Sequence, residues 1–511
     1  MLKPVALKPG YRPDIDGLRA VAVLAVLFFH AELGFPGGFV GVDIFFVISG
    51  YLITRLIVSA LERGTFTYTD FWTRRLKRIW PAASAMVITS LIAGFFLLGP
   101  GNYHELATDA IPQALMLANV QFARGVDYFH SSMDRRILLH TWSLAVEEQF
   151  YLFYPFLIVC LWRHRRRLMM PCLIFIALLS LLTSVLTIDA YPEATFFLLH
   201  ARAWELLLGG ILSQLRVQAP ASRVYTGSLI MLAVPLTLAP MCFYDRSTQF
   251  PGIAAIPPCL GTAMLIHLGT NPRNFVTRFL AWEPLRRIGL ISYSLYLVHW
   301  PILAFMRNFE FPSEPTLSSR FFAFAISFPI AYISWRFIEQ PFRKSTPKSH
   351  PFLNAVIRSA VVSGIIIFAS LGIRMTDGAD SRFNGQILAH IKPEQIPHHW
   401  QTRTTSSSDI NSLTKPIGRI NEPTNPIQPS FLFWGDSHAM ALCEFIDEQS
   451  KSLGISGLAR IRNGTTPIPG LWSYTSGKDA SQANLRILEW LVDSQIKHVI
   501  LCSRWSIQVD G

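Results

Sequence analysis

Charge is scarce in this chain. Asp, Glu, Lys and Arg make up 15% of its 511 residues while 51% are hydrophobic, against roughly 25% charged in an ordinary soluble protein. That balance excludes disorder and argues against a body wetted on all sides. Close cysteine pairs are also missing. Cys160, Cys172, Cys242, Cys259, Cys443 and Cys502 form no CxxC and no Cys/His cluster, so no zinc or dithiol motif is present and no metal is expected. The first four lie in apolar runs, where thiols are usually buried and structural. Cys443 and Cys502 would meet in a disulfide only if the tail lay outside the cytoplasm. There is no internal repeat, and no small-residue cleavage site accompanies the first apolar run. That run therefore reads as an uncleaved anchor.

The formal charge is +12, and its distribution limits what it means. Residues 1–373 carry 32 basic and 20 acidic side chains, and the remaining 138 carry 13 of each. The excess lies in the apolar part, which argues for anionic lipid or an anionic substrate and against a nucleic-acid partner.

A membrane-spanning helix needs about 20 mostly apolar residues. Eleven segments qualify, near 18–35, 39–58, 80–98, 149–162, 168–188, 202–215, 224–243, 251–268, 288–306, 321–338 and 356–373. Residues 104–123 are rejected as a twelfth because His104, Glu105, Asp109, Pro112 and Gln113 suit a loop or surface helix. With eleven spans, one set of alternate connections holds 21 Lys and Arg and the other 6, which places the N-terminus in the cytoplasm and residues 374–511 outside it. The segment 377–429, with TRTTSSSDINS and NEPTNPIQP, reads as a linker. The expected domains are thus a membrane body at 1–345, an eleventh helix within 346–376, the linker, and a folded tail at 430–511.

Ionisable groups inside a bilayer are costly and point to function. In DGLRAVAVLAVLFFH, Arg19 and His30 are eleven residues apart, which puts them within about 20° of one helix face and about 16 Å apart along the axis. The pair reads as a cation at the cytoplasmic mouth and a titratable imidazole at mid-membrane. A snorkelling anchor and an interhelical hydrogen-bonding group would look the same. His299 in SYSLYLVHWP, Glu147 and Glu148 in HTWSLAVEEQFYL, and Arg202 and Glu205 in ARAWELLLGG occupy comparable depths. Asp43 lies near the outer end of GFVGVDIFFVISGYLIT, where Ser49-Gly50 permits close approach of a helix or a ligand. In FWTRRLKRIWP, Arg74, Arg75, Lys77 and Arg78 suit either an anionic ligand or an interfacial basic helix.

Seven motifs in order, RPDIDGLRAVAVLAVLFFH, GGFVGVDIFFVISGYLIT, RRLKRIWP, HTWSLAVEEQFYLFYP, SYSLYLVHWP, FIEQPFR and GDSH, resemble the acyltransferase 3 family of membrane acyltransferases, in particular bacterial members with a fused extracytoplasmic SGNH domain. The resemblance covers essentially the whole chain. It implies a multi-spanning α-helical membrane bundle in the bacterial inner membrane, followed by an α/β flavodoxin-like SGNH domain, here incomplete. It also implies O-acyl transfer, usually acetyl, from cytoplasmic acyl-CoA to a hydroxyl of a surface glycan or its lipid-linked precursor, with O-antigen, lipopolysaccharide and peptidoglycan among the family's acceptors. Arg19 and His30 match the family's Arg-ten-residues-His motif, and Arg74, Arg75 and Arg78 its basic motif. The four arginines are assigned to the phosphates of acetyl-CoA.

His30 then serves either as base for the attacking hydroxyl or as a transient acyl carrier. His299 is taken as a catalytic partner, and Glu147 as orienting an imidazole, binding acceptor or pairing with Arg202. Glu339 and Arg343, four apart, suit an ion pair. In the tail, FLFWGDSHAMALCEFI reads as strand, turn and helix. The resemblance makes Ser437 the candidate nucleophile, Asp436 a turn former and Gly464 a candidate oxyanion donor. No third-block Asn and no DxxH follow Ser437, so the tail alone is expected to lack hydrolase or transferase activity. The competing readings are a proton-coupled transporter or flippase of a glycan precursor, and a truncated, inactive acyltransferase.

Overall fold

The computed structural model describes residues 11–124, 133–215, 222–271, 274–311, 315–344, 350–383, 414–418, 429–461, 477–494 and 496–502. Two compact units divide between Phe383 and Asn384.

The first unit is helical. Its helices are α1 (Pro13–His30), α2 (Gly41–Glu62), α3 (Tyr68–Leu97), α4 (Pro100–Ala114), α5 (Ala118–Phe122), α6 (Thr141–His164), α7 (Met169–Thr187), α8 (Pro192–Phe197) and α9 (Leu199–Gln214). There follow α10 (Arg223–Phe243), α11 (Ile256–Leu268), α12 (Phe275–Leu280), α13 (Glu283–Glu310), α14 (Leu317–Ser334), α15 (Gln340–Lys344) and α16 (Pro351–Met375). Among the described residues, nine helical segments are long and apolar enough to cross a membrane. The two expected spans outside that nine are also helices, but α1 has only 18 residues and carries Asp14, Asp16 and Arg19, and the segment Gly252–Leu268 is a shorter apolar helix. Residues 104–123 form the 15-residue α4 and the short α5 rather than one spanning helix. Large apolar side chains such as Phe153, Leu178, Met231, Phe321 and Phe368 cover the outside, as a lipid-facing surface requires. Cys259 is buried, whereas Cys160 and Cys242 are exposed and do not serve the core.

Three boundaries differ from the sequence reading. α1 stops at His30, and Glu32 (φ 54°) and Gly34 (φ 109°) take left-handed backbone in the turn beyond it. α3 starts at Tyr68, capped by Thr67, whose hydroxyl accepts from the Asp70 amide at 3.2 Å, so the basic run lies inside a 30-residue helix rather than on a separate interfacial one. In the tail, Lys415–Ile417 joins the sheet, so the fold begins inside the expected linker.

Bundle packing depends on backbone contact. A Cβ on Gly50 would meet the Leu206 carbonyl oxygen at 1.7 Å, and one on Gly209 would meet that of Val47 at 1.9 Å, so α2 and α9 touch main chain to main chain. Gly209→Val should cost more than about 3 kcal/mol, the upper range for overpacking, because backbone cannot move aside. The measurement is size-exclusion chromatography of detergent-extracted protein, and a normal monodisperse yield would contradict this packing.

The second unit contains β1 (Lys415–Ile417), β2 (Phe431–Gly435), α17 (Ser437–Ser452), β3 (Gly457–Ile461), α18 (Gly477–Asp493) and β4 (His498–Cys502). The sheet order is β1-β3-β2-β4, with β1 antiparallel and the other pairings parallel. The three parallel strands follow the flavodoxin-like 2-1-3 order. Phe433, Ala439, Met440, Cys443 and Ile461 fill one core cluster. Cys443 and Cys502 are free thiols, and burial pushes Cys443 up to about 12, which keeps it protonated at neutral pH.

Candidate functional site

A cavity of about 280 Å³ opens among α1, α2, α3, α6 and α13. Its cationic lining is Arg19 from α1 with Arg75 and Arg78 from α3. Residue 78 is about 60° from residue 75 and about 40° from residue 74 around the axis, so helical period alone does not separate the three. Arg74 is exposed and does not line this cavity, so the packing of α3 sets it apart from Arg75 and Arg78. Arg19 lies 3.5 Å from Asp16. The Nε of Arg75 is buried without a hydrogen-bond partner. Opposite the guanidiniums, Ser49 and Tyr151 both donate to the same oxygen of Glu147. Glu147 is therefore held by hydroxyls rather than by Arg202. The Ser49-Gly50 pair divides its roles, with Ser49 at the cavity and Gly50 at the helix contact.

The cavity ends at a ring. Tyr296 lines it, and its hydroxyl donates to the His140 carbonyl at 2.9 Å and pairs with Ser143 Oγ at 2.6 Å. Behind it lie three imidazoles, the Tyr296 ring centroid being 5.5 Å from that of His299 and 5.6 Å from that of His140. His30 Nδ1 and His299 Nε2 are 3.0 Å apart, and His299 Nδ1 is 3.2 Å from the Leu295 carbonyl oxygen. A carbonyl only accepts, so the hydrogen-bond network assigns the His299 proton to Nδ1. Its Nε2 then accepts from His30 Nδ1–H, and the lone pair of the His30 ring resides on Nε2.

His30 closes α1 instead of occupying its middle, whereas His299 is well inside the 28-residue α13. Arg307 donates to the His30 carbonyl at 2.5 Å, and Trp300 packs edge-on to the His30 ring with centroids 4.5 Å apart. His30 does not line the cavity, since Tyr296 stands between the cavity and the imidazoles. The structure thus brings His30 and His299 together, and gathers Arg19, Arg75, Arg78 and Glu147 one ring away.

A model of an acyltransferase domain matches residues 12–336, and a model of the SGNH domain found fused to such domains matches residues 404–511. The chain belongs to the acyltransferase 3 family. Among curated relatives it is 34% identical to "Peptidoglycan O-acetyltransferase OatA" of Listeria monocytogenes over 66% of this chain and 56% of that protein. It is 33% identical to "O-acetyltransferase OatA" of Staphylococcus aureus over 68% of this chain and 59% of that protein. A third, "Putative peptidoglycan O-acetyltransferase YrhL" of Bacillus subtilis, is 31% identical over 79% of this chain and 66% of that protein. The chain therefore spans between about half and two thirds of the length of these relatives. No solved structure matches it.

Two features of this acyltransferase 3 protein escaped the sequence reading. His140 opens the quoted HTWSLAVEEQ motif; its Nε2 is 3.1 Å from the Leu297 carbonyl oxygen while its buried Nδ1 has no partner. The signal was present, because a buried imidazole was as visible there as at His299, but only the fold places it beside that residue. The second is a buried charge cluster. Arg202 lies 3.1 Å from Asp43 on α2 and 3.1 Å from Glu205 on its own helix, inside a cage of Phe46, Trp142, Phe196 and Phe250 rings with centroids 5.5–5.6 Å away. Asp43, Glu205 and Cys259 bring possible ligand atoms within 4.8 Å of one another. Arg202 already supplies the cation that this carboxylate pair faces. Elsewhere, Glu339 takes Arg343 at 3.0 Å and the Ser294 hydroxyl at 3.1 Å, as an ion pair at a helix end does.

In the SGNH unit Ser437 opens α17 directly after β2, at the carboxyl end of the central parallel strand; its side chain lies outside what is described. Asp436 is buried, and its amide donates to the Cys502 carbonyl at 3.3 Å. His498 pairs opposite Phe431 while Cys502 pairs opposite Gly435. His498 is therefore four residues, about 13 Å, from the end where Ser437 begins. Gly464 and residues 503–506 lie outside the described residues.

Proposed function

We propose that the protein is a multi-pass O-acyltransferase that moves an acetyl group from cytoplasmic acetyl-CoA to a hydroxyl of an extracytoplasmic glycan, with peptidoglycan the acceptor that the relatives' names suggest. It would reside in the bacterial plasma membrane with its N-terminus inside. The observation that carries the reading is the cavity with three guanidiniums at its mouth and an ordered imidazole pair behind its end wall. Guanidinium groups match phosphate oxygens in geometry and charge, and the diphosphate and ribose phosphate of CoA are such ligands. A transporter would need no such phosphate mouth.

In the reaction the acceptor hydroxyl loses its proton to Nε2 of His30 as its oxygen bonds to the thioester carbonyl carbon. The C–S bond breaks, and the proton passes on to the CoA sulfur. His299 holds His30 in the tautomer that leaves Nε2 basic. Glu147, gripped by Ser49 and Tyr151, fixes the cavity wall. No step is assigned to Ser437.

The test is purified full-length protein with isotopically labelled acetyl-CoA and a glycan acceptor, read by mass spectrometry. Absence of any labelled ester under folded conditions would refute the reading. Arg75→Gln is expected to raise the KM for acetyl-CoA about tenfold, about 1.4 kcal/mol of lost phosphate contact, and to leave the acceptor KM unchanged. An unaltered acetyl-CoA KM would remove Arg75 from the donor site.

A further inference from the structure

The polar helix α4 has one face with a specific use. Asn102, Glu105 and Asp109 follow an i, i+3, i+7 spacing, which places them within about 60° of one another around the axis. They line a second cavity of about 290 Å³ with Arg135, Arg136 and Asn308. The Asn102 amide donates to Asn308 at 2.8 Å across it. This cavity lies at the end of the bundle where α1 and α13 terminate, the end opposite Arg19.

Its far wall is tied to the imidazole pair. Three α13 side chains hold the carbonyls of Asp134–Arg136: Arg307 donates to Asp134 at 3.5 Å, Asn308 to Arg135 at 2.8 Å and Trp300 to Arg136 at 2.7 Å. Two of the three, Arg307 and Trp300, also contact His30 directly. Trp300 thus links the cavity wall, through the Arg136 carbonyl, to the His30 ring.

We propose that this cavity is a carbohydrate subsite that takes one uncharged sugar unit of the acceptor by its hydroxyl and amide groups, beside the His30–His299 pair. The proposal rests on the transferase reading above. Three observations support it. Glu105 and Asp109 offset most of the charge of Arg135 and Arg136, so the lining is not the strongly cationic surface an anion requires. Asp109 is 1% exposed and only one of its oxygens has a partner, Arg136 at 3.4 Å; Oδ2 has none. A buried acceptor without a donor is costly, and a sugar hydroxyl supplies one. Burial also pushes the Asp109 carboxyl up to about 7 against the pull of Arg136, so near neutrality it can donate as well as accept, as sugar hydroxyls do. The volume is at the small end of ligand pockets, about 300 Å³, and suits one ring rather than a chain.

The experiment uses full-length protein in nanodiscs with acetyl-CoA and a β-1,4-linked N-acetylglucosamine tetrasaccharide. Glu105→Gln and Asp109→Asn, which keep side-chain shape, should each raise the acceptor KM about tenfold or more and leave the acetyl-CoA KM within about twofold. An active wild type whose acceptor KM does not change in either variant overturns the subsite and leaves the transferase reading intact. If the wild type transfers nothing, the transferase reading fails, and the cavity is then judged by saturation-transfer NMR with the same tetrasaccharide. Signals present for wild type and lost in Glu105→Gln support it. Equal signals, or displacement of the sugar by inorganic phosphate, overturn it.

Discussion

His30→Ala should reduce acetyl transfer by at least about 10²-fold, the lower range for a general base, with the protein still inserted and monodisperse. The imidazole is held on two sides, by His299 at 3.0 Å and by the edge of Trp300, so its ring nitrogen has a fixed direction that alanine does not supply. His299→Gln is the informative companion. His299 acts through His30, and glutamine can still offer an acceptor to Nδ1–H; this variant should retain more activity than His299→Leu, which cannot. Equal activity in the two His299 variants would show that the hydrogen bond does not position the base, and a fully active His30→Ala would remove His30 from the reaction. The measurement is initial rate with labelled acetyl-CoA at saturating donor and acceptor.

Removing Arg202 should have the largest effect on stability. Arg202→Met leaves Asp43 and Glu205, both with no measurable exposure, facing each other without their cation inside four aromatic rings. Breaking a buried ion cluster from one side costs about 3–5 kcal/mol, enough to deplete folded membrane protein. The combined change Arg202→Met, Asp43→Asn, Glu205→Gln removes all the charge and should recover much of the loss. Thermal unfolding in detergent followed by tryptophan fluorescence distinguishes the two. If the single variant melts as the wild type does, the cluster contributes little to stability.

The elements that carry this chemistry were legible to different extents. Periodicity and hydropathy indicated the long helices because a helix in lipid must satisfy its backbone internally and cover itself with apolar side chains. The Arg19–His30 spacing was readable because helical geometry converts sequence separation into angle. Arg74 was not separable from its neighbours by period, since residue 74 is only about 40° from residue 78, and only the packing of α3 shows which side chains face inward. α1 ends at His30, before a turn with left-handed backbone at Glu32, a boundary that hydropathy alone extended to residue 35. α4 was set aside as a span on its polar residues, and three polar residues on it, Asn102, Glu105 and Asp109, form one face of a cavity.

By itself the sequence determined that the chain is a multi-spanning helical protein with a strand-turn-helix tail, that its positive charge is concentrated in the apolar part, and which arginines and histidines are worth following. Those are local or compositional properties, set by period, length and charge. The tertiary structure decided the partners: His299 with His30, Tyr296 between the imidazoles and the guanidiniums, Arg202 with Asp43 and Glu205, and α4 against α13. Each of these contacts joins helices remote in sequence, and helix periodicity orients a side chain about its own axis without saying which other helix it will meet.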